Sequence, residues 1–190
     1  FNDPKGFIVA GAHVGNLEMA GLAIPHQQKR INGIVFGGES ADFQKKRIEA
    51  FEESDVHLIP VSTDMSHLFT IKEVLENGEV VVIPCDRVFG SPKSLTTSFL
   101  NGHAEFPIGT FRLAAQLDLS VVSLFIMKEG WRTYRVFSEK LPTDPTAANS
   151  TQQANALCKE YVKRLEHILH DYPSQWFNFF PFWKDNTDNL

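Results

Sequence analysis

The chain reads as an α/β protein: a mostly parallel central sheet flanked by helices, with hairpin additions. Three observations predict this class. Short apolar runs at 7–10, 31–36, 56–61 and 80–83 alternate with longer stretches of helical or polar spacing. The run Val80-Val81-Val82-Ile83 is apolar at every position, the mark of a strand buried on both faces. The length, 190 residues, suits one domain with a sizeable core, and 43% hydrophobic content is ordinary for a folded chain.

The first element is a strand over 7–10, broken at once by Gly11 and Ala12. His13 follows, with Gly15 and Asn16 behind it. Apolar positions from Leu17 onward predict a helix over 17–29 with one buried face. Asn16 is its candidate N-cap, since its side-chain oxygen can accept from a free backbone N–H two or three residues on. That places Glu18 in the first turn and His13 on the strand-to-helix loop. On one continuous helix their five-residue spacing would set them about 140° apart. Across a loop and then a helix they can meet, and a carboxylate there can hold one imidazole nitrogen while the other takes a proton. A lone histidine at such a corner also occurs for purely structural reasons.

A strand over 31–36 follows, then a charged helical stretch over 41–53 and a strand over 56–61. Asp64 caps a helix over 65–76 that stops at Asn77-Gly78. After the 80–83 strand the pattern changes. Asn101-Gly102 marks a hairpin between 95–100 and 103–106. Pro107 opens a helix over 108–117, and 120–126 is another buried strand. Glu129-Gly130 turns into an alternating strand over 131–137 near a sheet edge. A proline-containing loop over 141–150 leads to a helix over 150–170 and an aromatic tail over 172–183.

The net charge of −5 and the lack of a basic stripe argue against nucleic-acid binding, though not against one basic face meeting anionic lipid. Cys85 and Cys158 lack metal-type spacing, and no His/Cys/Asp/Glu pattern predicts a metal. No apolar run approaches the roughly 20 residues that span a bilayer. The chain begins at Phe1 rather than Met and enters a core strand almost directly, so we expect a membrane-associated segment to lie upstream.

Two further groups can carry chemistry. Asp86 and Arg87 stand just past the 80–83 strand, where ligands gather in open α/β sheets; they share a face with His13 and Glu18 if the two strands are neighbours. The other reading is an Asp–Arg ion pair fixing a loop. The helix after Pro107 begins near Gly109, with Arg112 one turn in, and its free N–H groups can receive a phosphate. Lys93 and Arg87 flank the intervening loop and are also candidate phosphate ligands. The aromatic tail fits either a membrane interface or a segment folded back on the core, and Asn178 and Pro181 favour the core. No nucleophile elbow, P-loop or H-E-x-x-H is present. Gly11-x-His13-x-Gly15 leaves a dinucleotide loop as an alternative, but the third glycine is missing and His13 would block a pyrophosphate.

These residues together resemble a family. His13-Val-Gly-Asn-Leu-Glu18 is similar to the H-x4-D/E motif of the lysophospholipid acyltransferase superfamily, in the form of the bacterial branch that includes the lipid A late acyltransferases. Pro84-Cys-Asp-Arg-Val-Phe-Gly90 resembles that branch's Asp-containing block. Phe106-Pro107-Ile-Gly109-Thr-Phe-Arg112 resembles its Pro-x-Gly block, and Pro173-Ser-Gln-Trp176 its C-terminal ending. The four blocks run in order along nearly the whole chain.

The resemblance implies a single acyltransferase domain over 1–190 with a glycerol-3-phosphate acyltransferase-like fold. It implies transfer of a fatty acyl chain from an acyl carrier protein or CoA thioester to a lipid hydroxyl, with no cofactor beyond that co-substrate. His13 would be the general base and Glu18 its partner. Gly15, Asn16, Asp86, Arg87, Gly109 and Arg112 would bind substrate, with backbone N–H groups at Gly15–Asn16 receiving the oxyanion. The expected partners are the acyl thioester, a lipid acceptor and a membrane surface, at the cytoplasmic face of the bacterial inner membrane. A relative that only binds lipid is the non-enzymatic alternative.

Overall fold

A computed structural model describes residues 5–24, 29–36, 56–61, 66–88, 93–179 and 181–183. Its main sheet has six strands: β1 (Phe7–Gly11), β2 (Ile31–Phe36), β3 (Val56–Val61), β4 (Val80–Pro84), β7 (Ser120–Lys128) and β8 (Tyr134–Lys140). Their order is β3-β2-β4-β1-β7-β8. All neighbours pair in parallel except β8, which runs antiparallel on β7 as an edge strand. A separate hairpin joins β5 (Ser94–Phe99) to β6 (Gly102–Pro107). The predicted mostly parallel sheet with hairpin additions is what forms.

Four α-helices occur among the described residues: α1 (Ala20–Ala23), α2 (His67–Glu76), α3 (Gly109–Leu117) and α4 (Ser150–Asp171). Alternation along β1 and β4 divides the apolar side chains between the two faces of the sheet. Ile8, Ala10 and Val81 enter a larger core with Ile71 and Leu75 of α2, Phe111 of α3 and the stripe Leu157, Tyr161, Leu165, Leu169 of α4. Phe7, Val9, Val80 and Val82 enter a smaller core with Ala20 and Ile24. Helix α4 is held at its start by Asn149, whose side-chain oxygen accepts from the Gln152 N–H at 3.0 Å. None of these helices is long and apolar enough to cross a membrane.

Several boundaries differ from expectation, each for a local reason. The helix expected over 17–29 is a 3-10 turn, Leu17–Met19, followed by the short α1. Ile24 is extended because Pro25 follows it, and proline disfavours the helical region for the residue before it. The hairpin turn falls on Leu100 and Asn101, both left-handed (φ 46° and 66°), rather than on Asn101-Gly102. Gly102 instead gives Trp183 room, since a Cβ there would lie 2.5 Å from the indole. Strand β8 starts at Tyr134 because the turn before it extends to Thr133, whose carbonyl accepts from the Glu129 N–H at 2.9 Å. The helical stretch expected over 41–53 lies outside the described residues.

The tail does what its interruptions suggested. Trp176 and Phe182 fold onto Phe99 at ring-centroid distances of 5.8 and 5.4 Å, and Phe182 is buried. Phe177 and Phe179 point outward.

Candidate active site

The site is built by strand register. Gly11 of β1 stands opposite Pro84 of β4, and the Cys85 N–H donates to the Gly11 carbonyl at 2.8 Å. Two residues beyond that pair on each strand come His13 and Asp86. The Asp86 Oδ2 accepts from the His13 backbone N–H at 3.0 Å, and its Oδ1 lies 2.7 Å from His13 Nδ1. Asp86 is only 1% exposed. A carboxylate accepts on both oxygens, so this contact places the imidazole proton on Nδ1 and leaves Nε2 with a lone pair.

The sequence reading paired His13 with Glu18. In the structure the carboxylate on His13 Nδ1 is Asp86, and Glu18 is an exposed residue of the 3-10 turn lining the same cleft. The reason is topological. Parallel pairing of adjacent strands continues past their ends and sets Asp86 beside His13, while the tight turn after Asn16 carries Glu18 outward.

The cleft has a volume of about 510 Å³. His13, Asn16, Leu17 and Glu18 form one wall; Ile31, Gly33, Val35, Leu58 and Val82 of the sheet form an apolar floor; Arg87 and Phe177 stand at the other side. The His13 side chain is 32% exposed. Asn16 occupies the N-cap position of the 3-10 turn, but its side chain makes no cap hydrogen bond. Arg87 donates to the Phe177 carbonyl at 2.8 Å, while both oxygens of Asp86 are taken up by His13.

The backbone donors expected to meet an oxyanion are occupied. The Gly15 N–H donates to the Gln175 carbonyl and the Asn16 N–H to the Ile126 carbonyl, each at 2.9 Å. Gly15 is left-handed (φ 62°), and a Cβ there would lie 2.2 Å from the Ile126 oxygen. The corner is therefore held by hydrogen bonds to β7 and to the tail, and glycine is required for that approach. Gly109 and Arg112 do not line the cleft. They belong to α3, across the sheet, where the neighbouring Thr110 hydroxyl hydrogen-bonds Cys85.

Tyr161 of α4 was not singled out by sequence. It is fully buried, and its hydroxyl donates to the Gly11 carbonyl at 2.7 Å. Burial, then the Asp86 charge, hold its hydroxyl well above the usual tyrosine range. Burial likewise pushes the Cys85 thiol up, so the residue beside Asp86 is no thiolate nucleophile. Gln175 also went unnoticed: its amide clasps the Lys128 N–H and carbonyl, each at 2.9 Å, fixing the tail to the end of β7. Among the described residues no group of three His, Cys, Asp or Glu is placed to hold a metal.

No curated protein matches the chain. Among solved structures, the crystal structure of the pilus retraction motor PilT with bound ADP aligns at 12% identity over 88% of this chain, with a TM-score of 0.32. The chain spans 54% of the length of that structure, and a likeness of this size bears on neither fold nor function. The model of the bacterial lipid A biosynthesis acyltransferase family matches residues 2–185. That match takes in β1, β4, the His13–Asp86 corner and the tail together, and the chain belongs to this acyltransferase family.

Proposed function

We propose that the chain transfers a fatty acyl group from the thioester of an acyl carrier protein or CoA to a hydroxyl of a lipid acceptor. The observation that carries this reading is the buried Asp86 carboxylate 2.7 Å from His13 Nδ1, beside a cleft with an apolar floor. His13 Nε2 takes the proton of the acceptor hydroxyl as its oxygen attacks the thioester carbonyl. The tetrahedral intermediate then expels the thiolate, which takes the proton from the imidazolium and leaves as a thiol. Asp86 keeps the ring in the reactive tautomer and offsets the imidazolium charge. No protein nucleophile is needed.

General base catalysis supplies about 10²–10⁴-fold. Positioning and oxyanion donors must supply the rest, one such donor being worth about 2.7–4 kcal/mol. With the Gly15 and Asn16 N–H groups engaged, we assign the oxyanion to side chains: the Asn16 amide, which makes no hydrogen bond among the described residues, and the Arg87 guanidinium. The apolar floor takes the acyl chain. Glu18, lining the same wall as His13, faces the acceptor.

His13→Ala should abolish release of thiol from a long-chain acyl thioester in the presence of extracted lipid acceptors, with an unchanged far-UV circular dichroism spectrum. Retained turnover in that variant would remove His13 as the base.

A further inference from the structure

Parallel strands end on a common edge, and the site lies on that edge. So do most of the chain's exposed apolar side chains. Six of the eight large apolar residues exposed among the described ones are Leu22, Leu68, Phe69, Trp131, Phe177 and Phe179. Leu22 follows β1 in α1. Leu68 and Phe69 begin α2, which follows β3. Trp131 tips the β7–β8 turn. Phe177 and Phe179 lie on the tail, whose Phe177 N–H donates to the His13 carbonyl at 2.9 Å. Trp131 is 89% and Phe179 87% exposed, values at which burial of either ring within the fold plays no part.

The charge at the turn is positive although the whole chain carries −5. Lys128 stands over the Trp131 ring at 5.9 Å. Glu129 is neutralised by Arg135 at 2.8 Å, and Arg132 makes no ion pair among the described residues. An aromatic tip flanked by uncompensated cations is the composition that settles at the headgroup level of an anionic bilayer. An acidic protein surface would match the cations but would leave Trp131, Phe69 and Phe179 without apolar partners.

We propose that this edge docks on an anionic lipid bilayer, with the β7–β8 turn and the aromatic tail at the interface and the His13 cleft facing the lipid. The inference rests on the acyltransferase reading for its purpose, since a lipid hydroxyl could then reach His13 without leaving the membrane. Its evidence, the distribution of exposed rings and charge, is independent of that reading.

The test is co-sedimentation of the 190-residue chain with vesicles of phosphatidylethanolamine and phosphatidylglycerol, against vesicles of phosphatidylcholine alone. Trp131→Ala should lower the partition coefficient about tenfold. Arg132→Gln should lower it about fivefold, on the anionic vesicles only. Val136→Ser, which removes an exposed apolar side chain in the middle of β8, should change nothing. Wild-type binding by the Trp131 and Arg132 variants overturns the proposal. So does a loss of affinity for an acidic carrier protein with vesicle binding intact, which would make the edge a protein-docking surface. Turnover of a short-chain thioester in solution should be unaffected by these substitutions. If it is also unaffected by His13→Ala, the acyltransferase reading fails while the docking result stands.

Discussion

Asp86→Asn tests the assignment of the histidine's partner most sharply, because the substitution keeps size and removes only charge and one acceptor. The carboxylate accepts two hydrogen bonds, from the His13 backbone N–H at 3.0 Å and at His13 Nδ1 at 2.7 Å. An amide can satisfy both only by turning its oxygen to the backbone N–H and its NH₂ to the ring. Nδ1 must then be the acceptor, the ring proton moves to Nε2, and the base is lost. The opposite orientation keeps the reactive tautomer but sets two donors face to face in a buried site, at a cost of about 1–3 kcal/mol. The first arrangement should therefore dominate, and kcat should fall by about 10²–10⁴-fold, the full share of base catalysis. Steady-state thiol release from a long-chain acyl thioester, with extracted lipid as acceptor, reads this directly. Glu18→Gln, at an exposed position, should cost less than tenfold. If Asp86→Asn keeps activity within tenfold of wild type while Glu18→Gln abolishes it, the geometric argument is refuted and Glu18 is the working partner.

Three other outcomes follow from the same geometry. Gly15→Ala should destabilise the fold by about 3 kcal/mol or more in urea unfolding, because a Cβ at φ 62° meets the Ile126 backbone oxygen, which cannot yield. Tyr161→Phe should cost about 0.5–1.5 kcal/mol, since the Gly11 carbonyl still accepts from Cys85, and should lower kcat severalfold with KM unchanged. Burial holds the Cys158 thiol up at about 12 and raises Cys85 as well, so above pH 9.0 the unfolded chain releases protons that the native one keeps. Stability should then fall with rising pH by about 1.4 kcal/mol per unit for each thiol, and more gently in a Cys158→Ala variant. Equal slopes in the two proteins would refute that account.

The sheet was legible because its signals are local. An all-apolar valine run reads as a two-sided strand, and β3 and β2 begin and end where their β-branched runs do. The helix after β1 was misjudged because apolar spacing outweighed Pro25, one residue that ends the helix at Ala23. The hairpin was placed one residue late because Asn101-Gly102 matches the favoured turn dipeptide, whereas this glycine serves the contact with Trp183. At the site, His13 and Asp86 were both visible as strand-end polar residues, but their pairing was not. It depends on which strands adjoin and in what register, and no spacing within one segment encodes that. Tyr161 was harder still, lying 150 positions from the carbonyl it bonds.

The corner's hydrogen bonds also limit where its chemistry can come from. A strand-to-helix corner ordinarily offers free N–H groups to a developing negative charge. Here Gly15 and Asn16 give theirs to the tail and to β7, and the His13 N–H goes to Asp86. Three consecutive bonds of this kind rigidify the loop that aims the imidazole, which favours a fixed near-attack geometry. The same bonds remove the backbone from electrostatic stabilisation, so that task passes to side chains reaching into the cleft. Asn16 and Arg87 are so placed, one on each wall. Arg87 is in turn anchored by the Phe177 carbonyl, two residues past Gln175. The tail is thus a structural part of the site: it holds the base loop through Gly15 and His13, and the cation of the opposite wall through Phe177.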